Sequence, residues 1–305
     1  MSERSFQRVL VTGGGGFLGS RVVRRYLDQG CTVRAIGRRF PTSARGNAAR
    51  LEFVELDIRD PQKLSAAVAG QDLVVHTAGM TRVAADSQLA LQEEINVAGT
   101  RNVITACREH GVSRLLHVST VGTIGPSLEA DSPADETSPV CLDDGSPGYQ
   151  PSKCRAERLV LDATGLGLDA VVVNPGFMFG SLQSEYRGAE VIRRPLRRRL
   201  IICTRGGLSV VHVDDVAAGL VRAATFALGG ERYILSGDNV SFTDIARTVR
   251  RIADRMSVIV TVPDIPGRQW NRYAFYSSSR ARTALNYQPR SFEEIVRDYF
   301  RWVAS

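Results

Sequence analysis

The chain has 305 residues, of which 43% are hydrophobic and 23% charged, and its formal net charge is +7 at pH 7. This length and composition are ordinary for a globular protein with a large core and room for two lobes. No apolar run approaches the roughly 18–20 residues that cross a bilayer, and the polar start "MSERSFQ" leads straight into a strand pattern, so we expect no signal peptide.

Short apolar segments alternate with helical patterns through the first half of the chain. "RVLVTGGGGFLGSRVVRRYLDQG" indicates a strand, a glycine turn and an amphipathic helix. "TVRAIGRR", "LEFVELDIRD", "DLVVHTAG", "RLLHVSTVGTIG" and "DAVVVNPGFMFG" indicate further strands, with helices at "PQKLSAAVAG" and "INVAGTRNVITACREHG". The apolar runs are β-branched and continuous, as in buried parallel strands. This order predicts an α/β fold with a doubly wound parallel sheet, a Rossmann fold.

The regular alternation of strand and helix patterns becomes less clear after about residue 176. Helices are indicated at "VDDVAAGLVRAATFAL" and "SFTDIARTVRRIADR", and a short strand at "SVIVTVP". We therefore expect a Rossmann domain at residues 1–176 and a smaller C-terminal lobe at residues 177–305, with some segments of the lobe returning to the Rossmann core. The acidic, proline-rich stretch 129–147 is predicted to be a surface loop.

Several classes of site and partner are excluded by the same inspection. The five cysteines are widely spaced and form neither a CxxC metal site nor a disulfide framework, and the four histidines lack ligand spacing. We expect no metal and a reduced, cytoplasmic setting. A basic chain can bind nucleic acid, a membrane surface or a phosphorylated small molecule, but nucleic-acid signatures are absent, and we expect neither nucleic acid nor a membrane as partner.

The loop "VTGGGGFLG" follows a strand and opens a helix, and it carries Gly13, Gly16 and Gly19. Glycines at these points let the backbone turn tightly and approach a pyrophosphate at the helix N-terminus, where free N–H groups favour anions. Since the alternative of a plain tight turn does not explain this context, the loop predicts a dinucleotide cofactor.

The end of the second strand selects between the two nicotinamide cofactors. A carboxylate about 20 residues after the glycines would bind the ribose diol of NAD, yet the chain has Arg38 and Arg39 there. Two guanidiniums receive a 2′-phosphate, so we predict NADP (NADPH) as the preferred cofactor, with NAD as the alternative. Asp57 and Ile58 would flank the adenine, and His76 is expected to be a packed core residue.

Tyr149 and Lys153 lie four residues apart in "GYQPSKCRAE", so a helix presents both on one face. Pro151 between them fits only a first helical turn. Only two of the 39 basic residues are lysines, Lys63 and Lys153. A nearby ammonium lowers the pKa of a tyrosine that must donate a proton, and it can also reach the ribose hydroxyls of a nicotinamide cofactor. The pair therefore predicts proton transfer at a hydride-transfer site.

The motifs "TGGGGFLG", "LDIRD", "VVHTAG", "NVAGTRNV", "VSTVGTIG", "YQPSK" and "VVNPGFMFG" occur in that order over roughly residues 8–215. This order resembles the extended short-chain dehydrogenase/reductase family of the NAD-dependent epimerase/dehydratase type. The resemblance implies a Rossmann core, a catalytic set of Thr120, Tyr149 and Lys153, and a structural role for Asn96. It also implies a nicotinamide-binding segment at 175–178 and a homodimer formed through two helices of each subunit.

Departures from the family motifs favour one branch of the family. The two acids that dehydratases use fall on Val121 and Gly122, and the arginine by which epimerases grip a diphosphate falls on Leu208. The chain looks most like the dihydroflavonol-reductase-like and 3β-hydroxysteroid-dehydrogenase-like branches. This implies an NADP(H)-dependent carbonyl reductase or hydroxy-dehydrogenase acting on a small-molecule ketone or secondary alcohol.

The alternative is a nucleotide-sugar 4-epimerase or a 4-ketosugar reductase that uses the same catalytic set. The basic run "RRPLRRRL" in the C-terminal lobe keeps it open. Such a run is either a solvated face or a site for a substrate phosphate.

The site residues that follow from the motifs and the resemblance form three groups. The catalytic residues are Thr120, Tyr149 and Lys153. The cofactor-binding residues are Gly13, Gly16, Phe17, Leu18, Gly19, Arg38, Arg39, Asp57, Ile58, Thr77, Ala78, Gly79, Asn96, Ser119, Tyr149, Lys153, Pro175, Gly176, Phe177 and Met178. The substrate-contacting residues are Met80, Thr81, Gly122, Thr123 and Phe179, which are apolar or small.

Overall fold

A seven-stranded parallel sheet forms the centre of the computed structural model, which describes residues 4–38, 49–81, 85–125, 127, 129–138, 145–182, 185–197, 199–256, 258–262 and 273–305. Its strands are β1 (Arg8–Thr12), β2 (Thr32–Gly37), β3 (Leu51–Glu55), β4 (Leu73–His76), β5 (Arg114–Val118), β6 (Ala170–Pro175) and β11 (Arg232–Leu235). They lie in the order β11-β6-β5-β4-β1-β2-β3. The strand order reverses between β1 and β4, where folds of this kind bind their ligand at the carboxyl ends of the strands.

Helices cover both faces of this sheet. One face packs against α1 (Gly19–Asp28), α7 (Val213–Phe226) and α9 (Ser279–Leu285), and the other against α2 (Pro61–Val68), α4 (Gly99–Glu109) and α5 (Tyr149–Thr164). Successive residues of a strand point to opposite faces, so Val9 and Val11 enter one core and Leu10 the other. Because both faces are buried, the strands read as continuous apolar runs, and the predicted Rossmann fold is confirmed.

The C-terminal lobe is built on smaller sheets. Five strands form one sheet, namely β7 (Phe177–Leu182), β8 (Glu185–Arg187), β10 (Gly207–His212), β12 (Asn239–Ser241) and β14 (Tyr273–Ala274), and two form a ribbon, β9 (Leu200–Thr204) and β13 (Val258–Val262). Three helices share a core with the five-stranded sheet of the lobe, namely α6 (Ala189–Leu196), α8 (Phe242–Ile252) and α10 (Phe292–Ala304). Strand β11 lies beyond residue 177 in sequence and completes the central sheet.

The segment "DAVVVNPGFMFG" corrects one expectation, since it forms two strands rather than one. β6 ends at Pro175 and β7 begins at Phe177, in a different sheet. A Cβ on the intervening Gly176 would lie 2.6 Å from Ser236 Oγ and 2.8 Å from the Ser209 carbonyl oxygen. The close approach of this backbone to its neighbours requires glycine at the point where the chain leaves the central sheet.

Further helical elements lie between β4 and β5. α3 (Leu89–Glu93) continues through a π-helical turn, Glu94–Ala98, into α4. No helix in the described part of the chain is long and apolar enough to span a bilayer. Cys31, Cys107 and Cys203 are free and buried.

Candidate active site

The glycine loop turns at Gly13, whose φ of +67° is a left-handed conformation that favours glycine. The Gly16 N–H donates to the Gly13 carbonyl at 2.8 Å. A Cβ on Gly19 would lie 2.1 Å from that same oxygen, and a Cβ on Gly13 would lie 3.0 Å from the backbone of Ala78. The loop is therefore held close to the end of β4, with no space for side chains.

Helix α1 begins directly after this loop. It has no side-chain cap and no acidic residue in its first turn, so its first N–H groups and its dipole are free of a competing negative charge. Leu18 is buried in the core and has only its backbone to offer a ligand, while Phe17 is partly buried against the same core. This cradle fits the pyrophosphate of a dinucleotide.

The carboxyl ends of β1 and β4 are joined beside the loop. Thr77 Oγ1 donates to the Thr12 carbonyl at 2.6 Å, and the Ala78 N–H donates to Thr12 Oγ1 at 3.1 Å. His76 is buried, with Nδ1 2.7 Å from Thr12 Oγ1 and Nε2 3.0 Å from Thr100 Oγ1. Burial, together with the charge of Lys153, lowers the pKa of His76 to about 3. His76 is thus a neutral core residue, as expected.

Asn96 fastens the strand β4 edge to helix α5 from within the π-helical turn. Its Oδ1 accepts from the Met80 N–H at 2.8 Å, and its Nδ2 donates to Ser152 Oγ at 2.9 Å. Met80 is partly buried and packs against the core, while Thr81 beside it is exposed. The side chain of Asn96 is fully engaged in protein contacts, in keeping with the structural role that the resemblance implies.

The carboxyl ends of β2 and β3 carry charged side chains, of which the sequence analysis named Arg38 and Asp57 but not Arg59. Arg38 is exposed directly after β2, Ile58 is buried, and Arg39 lies outside the described residues. Asp57 is bound by Arg59, whose Nη2 lies 2.8 Å from Oδ2 and whose backbone N–H lies 3.0 Å from Oδ1. This contact lowers the pKa of Asp57, with a smaller contribution from Arg38. Arg59 therefore neutralises the carboxylate of Asp57 at this edge.

Helix α5 begins at Tyr149, after Gly148 with a φ of +140°. The Thr120 hydroxyl, which follows β5, acts on the Tyr149 phenol and lowers its pKa against the effect of burial. Lys153 lies one helical turn further on, is only 4% exposed, and donates from Nζ to the Val118 carbonyl at 2.7 Å. The three residues predicted to be catalytic thus come from the carboxyl end of β5 and the first turns of α5.

The pKa values of this set differ in one respect from the expectation. Burial raises the pKa of Tyr149, and the group that lowers it is the Thr120 hydroxyl, not Lys153. Burial lowers the pKa of Lys153 to about 8, and the carboxylate of Glu157 opposes that shift. Lys153 therefore titrates close to neutral pH, and Thr120 is the direct partner of the phenol.

Two residues predicted to contact substrate are buried instead. Thr123 has no exposed surface, and its hydroxyl lies 2.8 Å from the Thr120 carbonyl and 2.7 Å from Glu157 Oε2. Phe179 also has no exposed surface, because alternate residues of β7 enter the core of the lobe. Both predictions are corrected. Thr123 stabilises the turn after β5, and Phe179 packs in the core of the lobe, against the exposed ring of Phe177.

The wall that follows β6 offers other side chains to a ligand. Phe177 is 43% exposed, and Met178 is partly buried against the core.

Ser119, predicted to bind the cofactor, is buried, and its hydroxyl donates to Glu157 Oε2 at 2.5 Å. The sequence analysis missed two residues of the site, namely Glu157 on α5 and Arg59 after β3. Glu157 lies four residues after Lys153, on the same helix face, which was an available signal.

Comparison with known proteins places this geometry among enzymes. The profile of the NAD dependent epimerase/dehydratase family matches residues 9–235. A protein of Synechocystis sp. named "Putative dihydroflavonol 4-reductase" is 32% identical over 83% of this chain and 74% of its own. The 4-hydroxy-2-methyl-3-oxo-4-farnesyl-3,4-dihydroquinoline-1-oxide ketoreductase of Stigmatella aurantiaca is 31% identical over 75% of this chain and 68% of its own.

A solved structure with the same fold is the UDP-glucose 4-epimerase of Thermus thermophilus in complex with NAD. It superposes with a TM-score of 0.75 at 25% identity and covers 97% of this chain and 99% of its own. The fold is therefore shared by proteins named as reductases and by proteins named as epimerases.

Proposed function

Because the chain belongs to the NAD dependent epimerase/dehydratase family and is an enzyme acting on CH–OH or C=O groups, we propose that it is an NADP(H)-dependent oxidoreductase that interconverts a ketone and a secondary alcohol. The observation that carries the proposal is the meeting of Thr120, Tyr149 and the buried Lys153 at the carboxyl end of β5 and the start of α5, where the Thr120 hydroxyl lowers the pKa of Tyr149. Both curated relatives described above are named as reductases, which supports the choice of reaction.

The cofactor site is supported by the cradle of the glycine loop, which a side chain at Gly13 or Gly19 would fill. The first turn of α1 would hold the pyrophosphate, and Arg38 would receive the 2′-phosphate. Arg59 favours the same choice, because it neutralises Asp57. A bound nicotinamide supplies or accepts the hydride.

The protein groups provide the proton and the orientation. In the reducing direction, Tyr149 donates its phenolic proton to the carbonyl oxygen of the substrate, which becomes the alcohol oxygen. Thr120 hydrogen-bonds the same oxygen and the Tyr149 phenol, and so aligns the two. Lys153, buried one helical turn from Tyr149, would hold the ribose hydroxyls of the bound cofactor through its ammonium group. The exposed ring of Phe177 provides an apolar surface for the substrate.

Thermal-shift titration combined with a turnover assay tests this function. We expect NADPH to raise the melting temperature at lower concentrations than NADH, because a ligand that binds only the folded state stabilises it in proportion to its affinity. We expect UDP and TDP to have little effect, and NADPH to be consumed with members of a panel of apolar ketones. Strong stabilisation by UDP or TDP, with no consumption of NADPH, would overturn the proposal.

A second candidate, a nucleotide-sugar 4-epimerase or 4-ketosugar reductase, rests on one further feature of the lobe. A cavity of about 540 Å³ is lined by Arg194 and Arg197 together with Leu200, Ile201 and Ile202. Guanidiniums in such a cavity suit a diphosphate. However, Arg197 is paired with Glu190 at 2.9 Å, which reduces the positive charge available. The response to UDP and TDP in the same titration decides between the two candidates.

A further inference from the structure

Glu157 is a carboxylate inside the protein, behind the proposed catalytic residues. It is 1% exposed and lies on α5, one turn after Lys153 and two turns after Tyr149, so the three share one face of the helix. Ionised carboxylates are rarely buried without partners, because the loss of hydration is costly. The contacts of Glu157 therefore show what its charge is used for.

Three donors converge on one oxygen of this carboxylate. Glu157 Oε2 lies 2.5 Å from Ser119 Oγ, 2.7 Å from Thr123 Oγ1 and 2.9 Å from Asn174 Nδ2. Ser119 and Thr123 flank Thr120 on the turn after β5, and Asn174 is in the neighbouring strand β6. A single side chain of α5 thus joins the ends of two strands.

Two of these three donors also reach the backbone of Thr120. Its carbonyl oxygen lies 2.8 Å from Thr123 Oγ1 and 3.1 Å from Asn174 Nδ2. Since a hydroxyl has one proton and an amide has two, these groups distribute their hydrogens between the Thr120 carbonyl and the Glu157 carboxylate. The position of Thr120 is consequently coupled to the presence of an acceptor at Glu157.

The charges that face this carboxylate come from two elements. Arg232, on β11, places Nη1 3.4 Å from Glu157 Oε1, and Lys153 lies on α5 itself. His76 on β4 and His117 on β5 face Lys153, but burial holds the pKa of His76 at about 3 and that of His117 well below its usual value. The histidines are therefore neutral between pH 6 and pH 9, and Glu157 is the negative charge that acts on Lys153.

We propose that Glu157 is a positioning residue, which holds the turn that carries Thr120 and sets the electrostatic surroundings of Lys153 from the same face of α5. The carboxylate acts through its neighbours and touches neither substrate nor cofactor. This inference rests on the proposed function for its effect on turnover, but its effect on Lys153 is measurable without any substrate.

The small number of lysines in the chain permits a direct test. With lysine labelled at the ε-carbon with ¹³C, the full chain gives signals from Lys63 and Lys153 alone, and the variant Lys63→Arg assigns them. Titration of the free protein then gives the pKa of Lys153. We expect Glu157→Gln to lower that pKa by about one unit, because removal of a nearby opposite charge disfavours the ammonium. Glu157→Asp keeps the charge and should retain the wild-type pKa more closely.

The matched control is Glu93→Gln. Glu93 binds Arg155 on another part of the same helix, with distances of 2.8 and 2.7 Å, so this variant also removes a carboxylate bound to α5. We expect it to leave the Lys153 titration unchanged. An unchanged Lys153 titration in folded Glu157→Gln would overturn the electrostatic part of the proposal.

The effect on turnover is measured with a ketone that the panel of apolar ketones has shown to be reduced. If the ammonium is the active form, activity falls as pH rises through the pKa of Lys153, so in Glu157→Gln this alkaline limb moves to lower pH. Above the limb, a shift of one unit leaves about a tenth of the ammonium form and reduces the rate about tenfold, with little change at pH 6. Thr123→Val keeps the charge and should lower the rate equally at every pH, with the Lys153 titration unchanged.

The outcomes separate the two hypotheses. If no ketone is reduced but the Lys153 titration shifts in Glu157→Gln, the proposed function fails and the electrostatic role of Glu157 stands. If Glu157→Gln does not fold, Thr123→Val still tests how the network holds Thr120. In Glu157→Asp, whose shorter side chain draws the charge back, a Lys153 pKa above the wild-type value would overturn the electrostatic part. Full activity of Thr123→Val at every pH would overturn the role of the network in holding Thr120.

Discussion

The central sheet and the β9–β13 ribbon of the lobe differ in how their side chains are covered. In the sheet, Leu10 and Val11 enter opposite cores, and both have no exposed surface. In the ribbon, Leu200 is 53%, Ile202 60% and Val258 63% exposed on the outer face, while Cys203 on the inner face is buried. The central sheet is therefore covered by protein on both faces, whereas the ribbon is covered on its inner face only.

This difference shows where the fold is constrained and where it is free to vary. Residues around the glycine loop and Thr120 are fixed by close backbone contacts and buried hydrogen bonds, which suits a site that must hold a cofactor in one geometry. The lobe has its own core and a partly open surface, which suits a region that determines which substrate binds. The predictions below test this division, from the largest expected effect to the smallest.

The largest effect is expected from Tyr149→Phe, which removes only the phenolic oxygen. Loss of a positioned proton donor reduces turnover by about 10²–10⁴-fold. The affinity for NADPH should change little, because the glycine loop and Arg38 are untouched. Steady-state rates with the identified ketone and NADPH titration by fluorescence measure the two quantities. Full activity in this variant would show that another group donates the proton.

Phe179→Ala tests whether the lobe is stabilised independently of the cofactor site. Phe179 is fully buried, with its ring centroid 5.3 Å from that of Phe177 and 6.1 Å from that of Phe292. Truncation of such a side chain lowers the free energy of unfolding by about 3–5 kcal/mol. Urea denaturation measures this loss, and NADPH titration below the transition should show an unchanged affinity.

The control for this prediction is Phe177→Ala, since Phe177 is 43% exposed and its truncation leaves a smaller cavity. We expect a smaller loss of stability and a larger effect on the KM of the ketone. Equal losses of stability in both variants would contradict the assignment of Phe179 to the core of the lobe.

The sequence predicted the Rossmann sheet because its strands are buried on both faces and its glycines mark tight turns. It put a domain boundary at residues 176–177 but took "DAVVVNPGFMFG" as a single strand, because the apolar run continues unchanged while the chain passes from one sheet to the next. Thr123 and Phe179 were assigned to substrate because adjacency in sequence does not show which side chains face inward. The proposed roles of Arg38, Tyr149 and Lys153 stay predictions for the experiments above.

Arg38→Ala tests the choice between the two cofactors. Loss of a hydrogen bond to a charged group costs about 1.5–3 kcal/mol, so the ratio of kcat/KM for NADPH to that for NADH should fall about 10- to 100-fold. Rates with both cofactors measure this ratio. Arg24→Ala is the control, because Arg24 is an exposed arginine of α1 that is paired with Asp28 at 2.9 Å. An unchanged ratio in Arg38→Ala would remove the argument for NADP.

The smallest effect is expected from Ile202→Thr on the open face of the ribbon. Threonine keeps the β-branched shape that suits a strand, and Ile202 is 60% exposed, so the free energy of unfolding should change by no more than about 0.5 kcal/mol. Cofactor affinity should also stay the same. Urea denaturation at two protein concentrations measures the change. A loss of 2 kcal/mol or more that depends on protein concentration would mean that another copy of the chain covers this face in solution, and the ribbon would then resemble the central sheet in being covered on both faces.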